Sequence, residues 1–298
     1  MTNEIGRVLT AMVTPFNDDG VDEEALGRLA RALLASGSDG LVITGTTGEA
    51  PSLSMEEQVA VWRAVRAAVG PDAGLVAGAS TNSTGESLEL VTQGADAGMD
   101  ALMLTVPYYN KPPQEGLVRH FTTLAEATPL PCILYNVPSR TSLNMAAETT
   151  LRLAESPNIV GVKEASGDFA QIAAILEGAP EGFRMWSGND GDTAQLVAMG
   201  GYGVISVASH LIGDQIHQMV AAAADGRQDD AQALHERLLP LMDILFIESN
   251  PIPVKFALNE VGVTAGEPRL PLLPPSEASQ AAIRAELAKH RIDVTAAV

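Results

Sequence analysis

The sequence predicts an α/β protein: a closed (β/α)8 TIM barrel with a C-terminal helical appendage. Three observations carry this. Eight short apolar runs each precede a helical pattern, within about 220 residues. The runs have no polar face, as expected of strands buried on both sides in a parallel sheet. No G-x-G-x-x-G follows the first run, which removes the main signature of an open doubly wound sheet.

The runs are residues 8–13, 41–44, 75–79, 101–106, 132–136, 159–163, 183–187 and 203–207. Amphipathic patterns at 23–36, 55–69, 87–97, 116–127, 145–155, 168–178 and 192–199 follow the first seven. After the eighth run the spacing is helical, at 214–224, 229–246, 253–260 and 276–290, broken by a Pro-rich segment at 268–275. This assigns residues 1–226 to the barrel and 227–298 to a helical region packed on it. There is no further repeat, low-complexity stretch or linker.

The bulk numbers narrow the function. A net charge of −19 disfavours nucleic acid and anionic membranes as partners, though a local cationic pocket can still take an acid. The single cysteine, Cys132, excludes an intramolecular disulfide and lies in an apolar run, where a buried inert thiol is expected. No signal peptide opens the chain and no apolar stretch is long enough for a bilayer, so a cytoplasmic protein is expected.

Barrel enzymes carry their chemistry at the C-terminal strand ends. There, Ile159-Val-Gly-Val-Lys-Glu164 closes an apolar strand with Lys163, one of four lysines against fourteen arginines. In a dry site the charged form of a lysine is disfavoured, and the free amine becomes a nucleophile. Arginine stays protonated and cannot serve. By position alone, a solvated or ion-paired lysine is an equal reading. Tyr135 lies on the neighbouring strand, as a proton shuttle for that amine or as a core aromatic. Gly45-Thr-Thr-Gly48 offers backbone N–H groups and two hydroxyls to a carboxylate, or is a tight turn. Arg140, in a loop after a proline, is a carboxylate clamp or a surface arginine. Tyr108 and Tyr109 mark an interface loop. Asn110 and Asn250 read as turn residues, and His210 as a loop or cap residue. No metal-ligand cluster falls on these ends.

Six segments together resemble one family: Gly45-Thr-Thr-Gly-Glu49, Pro107-Tyr-Tyr-Asn110, Tyr135-Asn-Val-Pro-Ser-Arg140, Val162-Lys163-Glu164, Gly203-Val-Ile-Ser206 and Asn250-Pro-Ile-Pro-Val-Lys255. They are similar, in order and spacing from Gly6 to about Leu272, to the dihydrodipicolinate synthases among the pyruvate-dependent class I aldolases. The resemblance implies condensation of pyruvate with L-aspartate 4-semialdehyde to 4-hydroxy-tetrahydrodipicolinate, the first committed step of lysine (diaminopimelate) biosynthesis. No metal or organic cofactor is implied. Lys163 would form the imine and Tyr135 move the protons. Thr47 would link Tyr135 to Tyr109, donated by a neighbouring subunit, with Thr46 in support. Thr47 and the Ile205 backbone would hold the pyruvate carboxylate, Arg140 the second substrate, and Gly188 the pocket wall. A homo-oligomer, commonly a dimer of dimers, is implied. Sister aldolases, such as N-acetylneuraminate lyase or a 2-keto-3-deoxy sugar acid aldolase, share the Lys and Tyr and remain the alternative. The positions matching the lysine-feedback pocket of sensitive relatives are Ala50, Pro51, Met55, Gln58, Asn82, Glu86 and Tyr108. Ala50, Met55 and Gln58 lack the polar groups of strongly sensitive forms, so weak or absent feedback is expected.

Overall fold

A computed structural model describes residues 4–295. Eight parallel strands close on themselves: β1 Val8–Ala11, β2 Gly40–Ile43, β3 Gly74–Gly78, β4 Ala101–Thr105, β5 Cys132–Asn136, β6 Ile159–Glu164, β7 Arg184–Ser187 and β8 Gly203–Ser206. The ring shuts where Leu9 of β1 pairs with Ile205 of β8 on one side and with Gly40 of β2 on the other. Closure leaves no free sheet edge in the barrel.

Side chains alternate along each strand. Leu9, Val42, Val76, Met103, Ile133, Trp186 and Ile205 fill the barrel interior. Val8, Leu41, Leu75, Leu102, Leu134, Val162 and Val204 point outward into the layer under the helices. Gly161 is a close-approach glycine. A Cβ there would lie 2.7 Å from the Trp186 ring and 2.3 Å from the Arg184 carbonyl oxygen. The indole therefore occupies the place of a β6 side chain, two residues below Lys163.

Several local features differ from the sequence reading. A two-stranded hairpin, Phe16–Asn17 with Gly20–Val21, precedes the first helix. Residues around Arg140 form a short helix, Pro138–Thr141, where a loop was expected. The helix after β8 begins at Ser209 rather than at 214 and is kinked at Ile212 (φ −129°, ψ 41°). Its first turn, Ser209-His210-Leu211-Ile212, is buried whether polar or apolar, so helical periodicity is weak there.

Helices Gln228–Ile244, Ile252–Glu260 and Glu277–Leu287 pack against the barrel, and Leu238, Leu241, Val254, Leu258 and Ile283 join the same apolar layer. Within this region Lys255 is completely buried. Its Nζ donates to Glu49 Oε1 at 2.8 Å, the Thr14 carbonyl at 2.9 Å and the Glu267 carbonyl at 3.0 Å. All three ammonium protons are thereby used. The second carboxylate oxygen of Glu49 accepts the Arg269 N–H at 2.9 Å. The Arg269 guanidinium forks onto Glu57 at 2.9 and 2.7 Å, at the start of helix Met55–Val69. The peptide bonds before Pro251 and Pro271 are cis. No described helix is long and apolar enough to cross a membrane.

Removing one partner of a buried ion pair strands the other. Lys255→Met should therefore lower stability by about 3–5 kcal/mol, read from the urea midpoint. Glu49→Gln combined with Lys255→Met should recover part of this, because Gln still accepts from Arg269 and leaves no charge. A double variant as unstable as the single one would contradict the account.

Candidate active site

Strand register sets Tyr135 directly beside Lys163, and Lys163 beside Trp186. Lys163 is 5% exposed, and its Nζ lies 4.4 Å from the centre of the Tyr135 ring. Burial lowers its pKa from 10.5 to about 8; Asp190 opposes the fall and Arg140 adds to it. The shift matters at neutral pH. An amine titrating at 10.5 is free about once in 3,000 molecules at pH 7, and one titrating at 8 about once in ten. Burial moves Tyr135 the other way, to about 12, so its phenol keeps its proton at neutral pH. Arg140 and the Thr46 hydroxyl work against that rise.

The neighbouring Glu164 carboxylate is engaged elsewhere. It accepts from Asn136 Nδ2 at 3.1 Å, Ser166 N at 2.7 Å and Gln171 Nε2 at 3.2 Å. This network ties the ends of β5 and β6 together and fixes the level at which Lys163 leaves the strand.

The turn after β2 is built on two strained residues. Thr44 (φ 52°) and Glu49 (φ 57°) are left-handed without being glycine, at about 1–3 kcal/mol each. Both are pinned. The Thr44 hydroxyl accepts the Trp62 indole N–H at 2.6 Å, and Glu49 is held by Lys255 and Arg269. Between them, Thr46 and Thr47 face different ways. Thr46 stands beside the Tyr135 phenol. The Thr47 hydroxyl instead accepts from Asn250 Nδ2 at 2.8 Å. The hydroxyl next to Tyr135 is thus that of Thr46, not of Thr47 as the sequence reading had it. The left-handed Thr44 decides which of two consecutive threonines turns inward.

Asn250 is more than a turn residue. Besides holding Thr47, its backbone oxygen accepts Arg140 Nη2 at 2.9 Å, which poises the exposed guanidinium over the barrel mouth. Gly188 passes against the amine: a Cβ there would lie 3.2 Å from Lys163 Cε. Ile205 is buried in the barrel interior. His210 is buried and bridges the strand ends, accepting Val13 N at Nε2 (3.1 Å) and facing the Val207 carbonyl with Nδ1 (2.8 Å). Burial drops its pKa to about 4, so it is neutral and structural. Tyr109 lies apart from this cluster, 90% exposed and left-handed at φ 72°. Among the described residues no cluster of His, Cys, Asp or Glu has the makings of a metal site.

A cavity of about 570 Å³ opens from Thr46 and Arg140 toward Tyr108. Six of the feedback-pocket positions line it: Ala50, Pro51, Met55, Gln58, Glu86 and Tyr108. Asn82 does not line it; its carbonyl accepts from Asn110 Nδ2 at 2.7 Å. Sequence reasoning passed over Asn250, Asp190, Thr44 and Lys255 as site-building residues. For Asn250 and Lys255 the shared segment Asn250–Lys255 was the available signal, and for Asp190 its place in Ser187-Gly-Asn-Asp190 at the end of the seventh run; Thr44 had none.

Residues 4–290 match the dihydrodipicolinate synthetase family. The chain belongs to that family. It is 53% identical over 292 residues to a 4-hydroxy-tetrahydrodipicolinate synthase of Dehalococcoides mccartyi, covering 98% of each. It is 55% identical over 269 residues to the same enzyme of Moorella thermoacetica, covering 90% of this chain and 92% of that one. The crystal structure of dihydrodipicolinate synthase from Cyanidioschyzon merolae with lysine bound has a TM-score of 0.93 and 42% identity, over 95% of this chain and 97% of that one. Identity at this level along nearly the whole chain supports the synthase over a sister aldolase.

The Lys163 pKa has a consequence for stability. Between about pH 8 and 10.5 the unfolded chain binds a proton that the folded amine has lost. Stability therefore rises with pH across that window, and the burial cost is fully present below it. Lys163→Met keeps the side-chain bulk and removes the charge. It should stabilise the fold at pH 6.5 by roughly 2–4 kcal/mol, with the gain fading toward pH 10.5. Urea unfolding at both pH values checks this, and equal effects at the two would contradict the depressed pKa.

Proposed function

We propose that Lys163 forms an imine with pyruvate and that the derived enamine condenses with L-aspartate 4-semialdehyde to give 4-hydroxy-tetrahydrodipicolinate. The observation that carries this is a buried amine with its pKa near 8, set against a phenol that keeps its proton. The neutral Lys163 nitrogen attacks the keto carbon, and the carbonyl oxygen leaves as water. The iminium drains electrons, so the pyruvate methyl group loses a proton and becomes the enamine carbon. That carbon bonds to the aldehyde carbon of the second substrate, whose oxygen takes a proton and remains as the hydroxyl. The amino group of the second substrate then adds to the imine carbon, closing the ring and expelling the Lys163 amine. One water is released overall.

Tyr135 supplies and removes protons in these steps, with Thr46 as its hydrogen-bonding neighbour. The Gly45–Gly48 turn, Thr47 and the Ile205 backbone cradle the pyruvate carboxylate. Arg140, held out by Asn250, takes the carboxylate of the semialdehyde. Gly188 leaves room beside the amine. The region from residue 227 onward serves the barrel by pinning Glu49, Thr47 and Arg140. The chain is a lyase of class I aldolase type in lysine biosynthesis through diaminopimelate. It acts in the cytoplasm as a homo-oligomer, a dimer of dimers, in which Tyr109 reaches a partner's site.

Borohydride added with pyruvate should leave a reduced three-carbon adduct on Lys163, located by mass spectrometry. Lys163→Arg should abolish it, since a guanidinium forms no such imine. An adduct on another lysine, or none, would sink the mechanism.

Mixing inactive Lys163→Ala subunits with inactive Tyr109→Phe subunits should restore activity, because a hybrid dimer holds one intact site. No recovery, with exchange of subunits verified, would place Tyr109 in its own subunit's site or give it no role.

A further inference from the structure

We propose that Asp190 is the buried counter-charge of the Lys163 nitrogen and the residue that sets the ends of β7 and β8 around it. The inference rests on the Schiff-base reading of Lys163. Asp190 is buried in the short turn Asp190–Asp192 that follows β7. Its Oδ2 accepts from Val207 N at 3.0 Å and Ala208 N at 2.9 Å, the two amides that follow β8. Two backbone donors on one oxygen favour the ionised carboxylate. The Ser206 hydroxyl stands beside the group and steadies the charge, but Oδ1 is buried with no donor in hydrogen-bonding geometry among the described residues. A buried charged oxygen without a partner is costly unless a positive charge faces it.

Lys163 is the positive charge within electrostatic reach of it, at a separation longer than a contact ion pair. Gly188 N donates to the Glu164 carbonyl at 2.7 Å, which draws the β7 turn across the end of β6 and lays Gly188 against Lys163 Cε. The other ionisable groups around the pair are accounted for. Arg140 and Tyr135 face Lys163 from the β5 side. Glu164 is spent on Asn136, Ser166 and Gln171. Asp192 accepts from Asn189 Nδ2 at 2.8 Å. His210, across Val207, is neutral. Helix Gln228–Ile244 brings Leu239, an apolar side chain, against the turn at Gly191.

The assignment fits the chemistry. The nitrogen must be neutral to attack and positive to act as an electron sink. A fixed anion keeps the iminium protonated while the methyl proton leaves. Burial raises the Asp190 pKa, and Lys163 is among the groups that hold it down.

Protein labelled with 15N-lysine decides the matter, because four lysines give few signals and Lys163→Arg identifies the one in question. In Asp190→Asn, whose amide oxygen still accepts from Val207 and Ala208, the Lys163 signal should titrate about one unit lower. At limiting pyruvate the imine trapped by borohydride at pH 8 should fall about fivefold, a tenfold loss of iminium stability being offset by nearly twice as much free amine. Asp192→Asn should shift neither. An unshifted Lys163 signal in folded Asp190→Asn overturns the inference. If Asp190→Asn does not fold, 13C-aspartate spectra of the unaltered protein decide: an Asp190 carboxyl ionised at pH 7 supports it and a protonated one overturns it. Absence of any pyruvate adduct on Lys163 in the unaltered protein would instead fail the Schiff-base reading itself.

Discussion

The constraint on which this barrel depends is the burial of one amine at its mouth. Lys163 is dry because the strands on either side are complete: Tyr135 and Trp186 are its register partners, and both are buried. A solvated lysine at a strand end would titrate near 10.5 and stay charged. Closing eight strands around it removes water, and the removal of water makes the nitrogen a nucleophile. The apolar interior below, with Trp186 lying in the space left by Gly161, also supports the floor of the site.

A second buried lysine shows how environment separates two roles. Lys255 has a carboxylate and two carbonyls within 3.0 Å, so its ammonium is fully hydrogen-bonded. Lys163 faces an aromatic ring, a guanidinium and one carboxylate within electrostatic reach. Burial disfavours the charge in both cases. At Lys255 the charge is matched by Glu49, and the pair holds a strained turn in place. At Lys163 the match is partial, and a reactive amine remains. The strain at Thr44 and Glu49 persists because Trp62, Lys255 and Arg269 over-determine it. The result is a fixed turn whose threonines present different faces, one to Tyr135 and one to Asn250.

What the sequence made legible was periodic or local. Every barrel strand begins and ends within two residues of its apolar run, and β5 coincides with it. Lys163 and Tyr135 stood out because a charged and a phenolic side chain closed apolar strands that had to be neighbours. What stayed hidden depends on long-range pairing. Asn250 reaches Thr47 across 203 positions and Lys255 reaches Glu49 across 206. No local pattern marks such partners, so Asn250 read as a turn and Lys255 as a helix residue. Asp190 was passed over for a related reason: its partners are backbone amides after β8, and a backbone amide has no sequence signature. The choice between Thr46 and Thr47 rested on one backbone angle, which composition does not encode.

Tyr109 is the one aromatic side chain of the proposed machinery that its own chain leaves uncovered. Its ring is 90% exposed, and its backbone and that of Lys111 are left-handed, at φ 72° and 44°. Non-glycine residues in that region cost about 1–3 kcal/mol each, and an exposed aromatic gains little from burial in return. Yet the loop is anchored. Asn110 donates to the Asn82 carbonyl at 2.7 Å, and the half-buried Tyr108 lines the cavity behind it. A loop strained at two residues and tethered by a third is held out for a purpose. On the proposed reading that purpose is a partner subunit, where the phenol becomes buried beside the second site. The strain is then set at the tip before association, so the ring loses little freedom on docking. The same tether puts Tyr108 and Tyr109 on different sides of the loop, one turned to the cavity and the other to solvent.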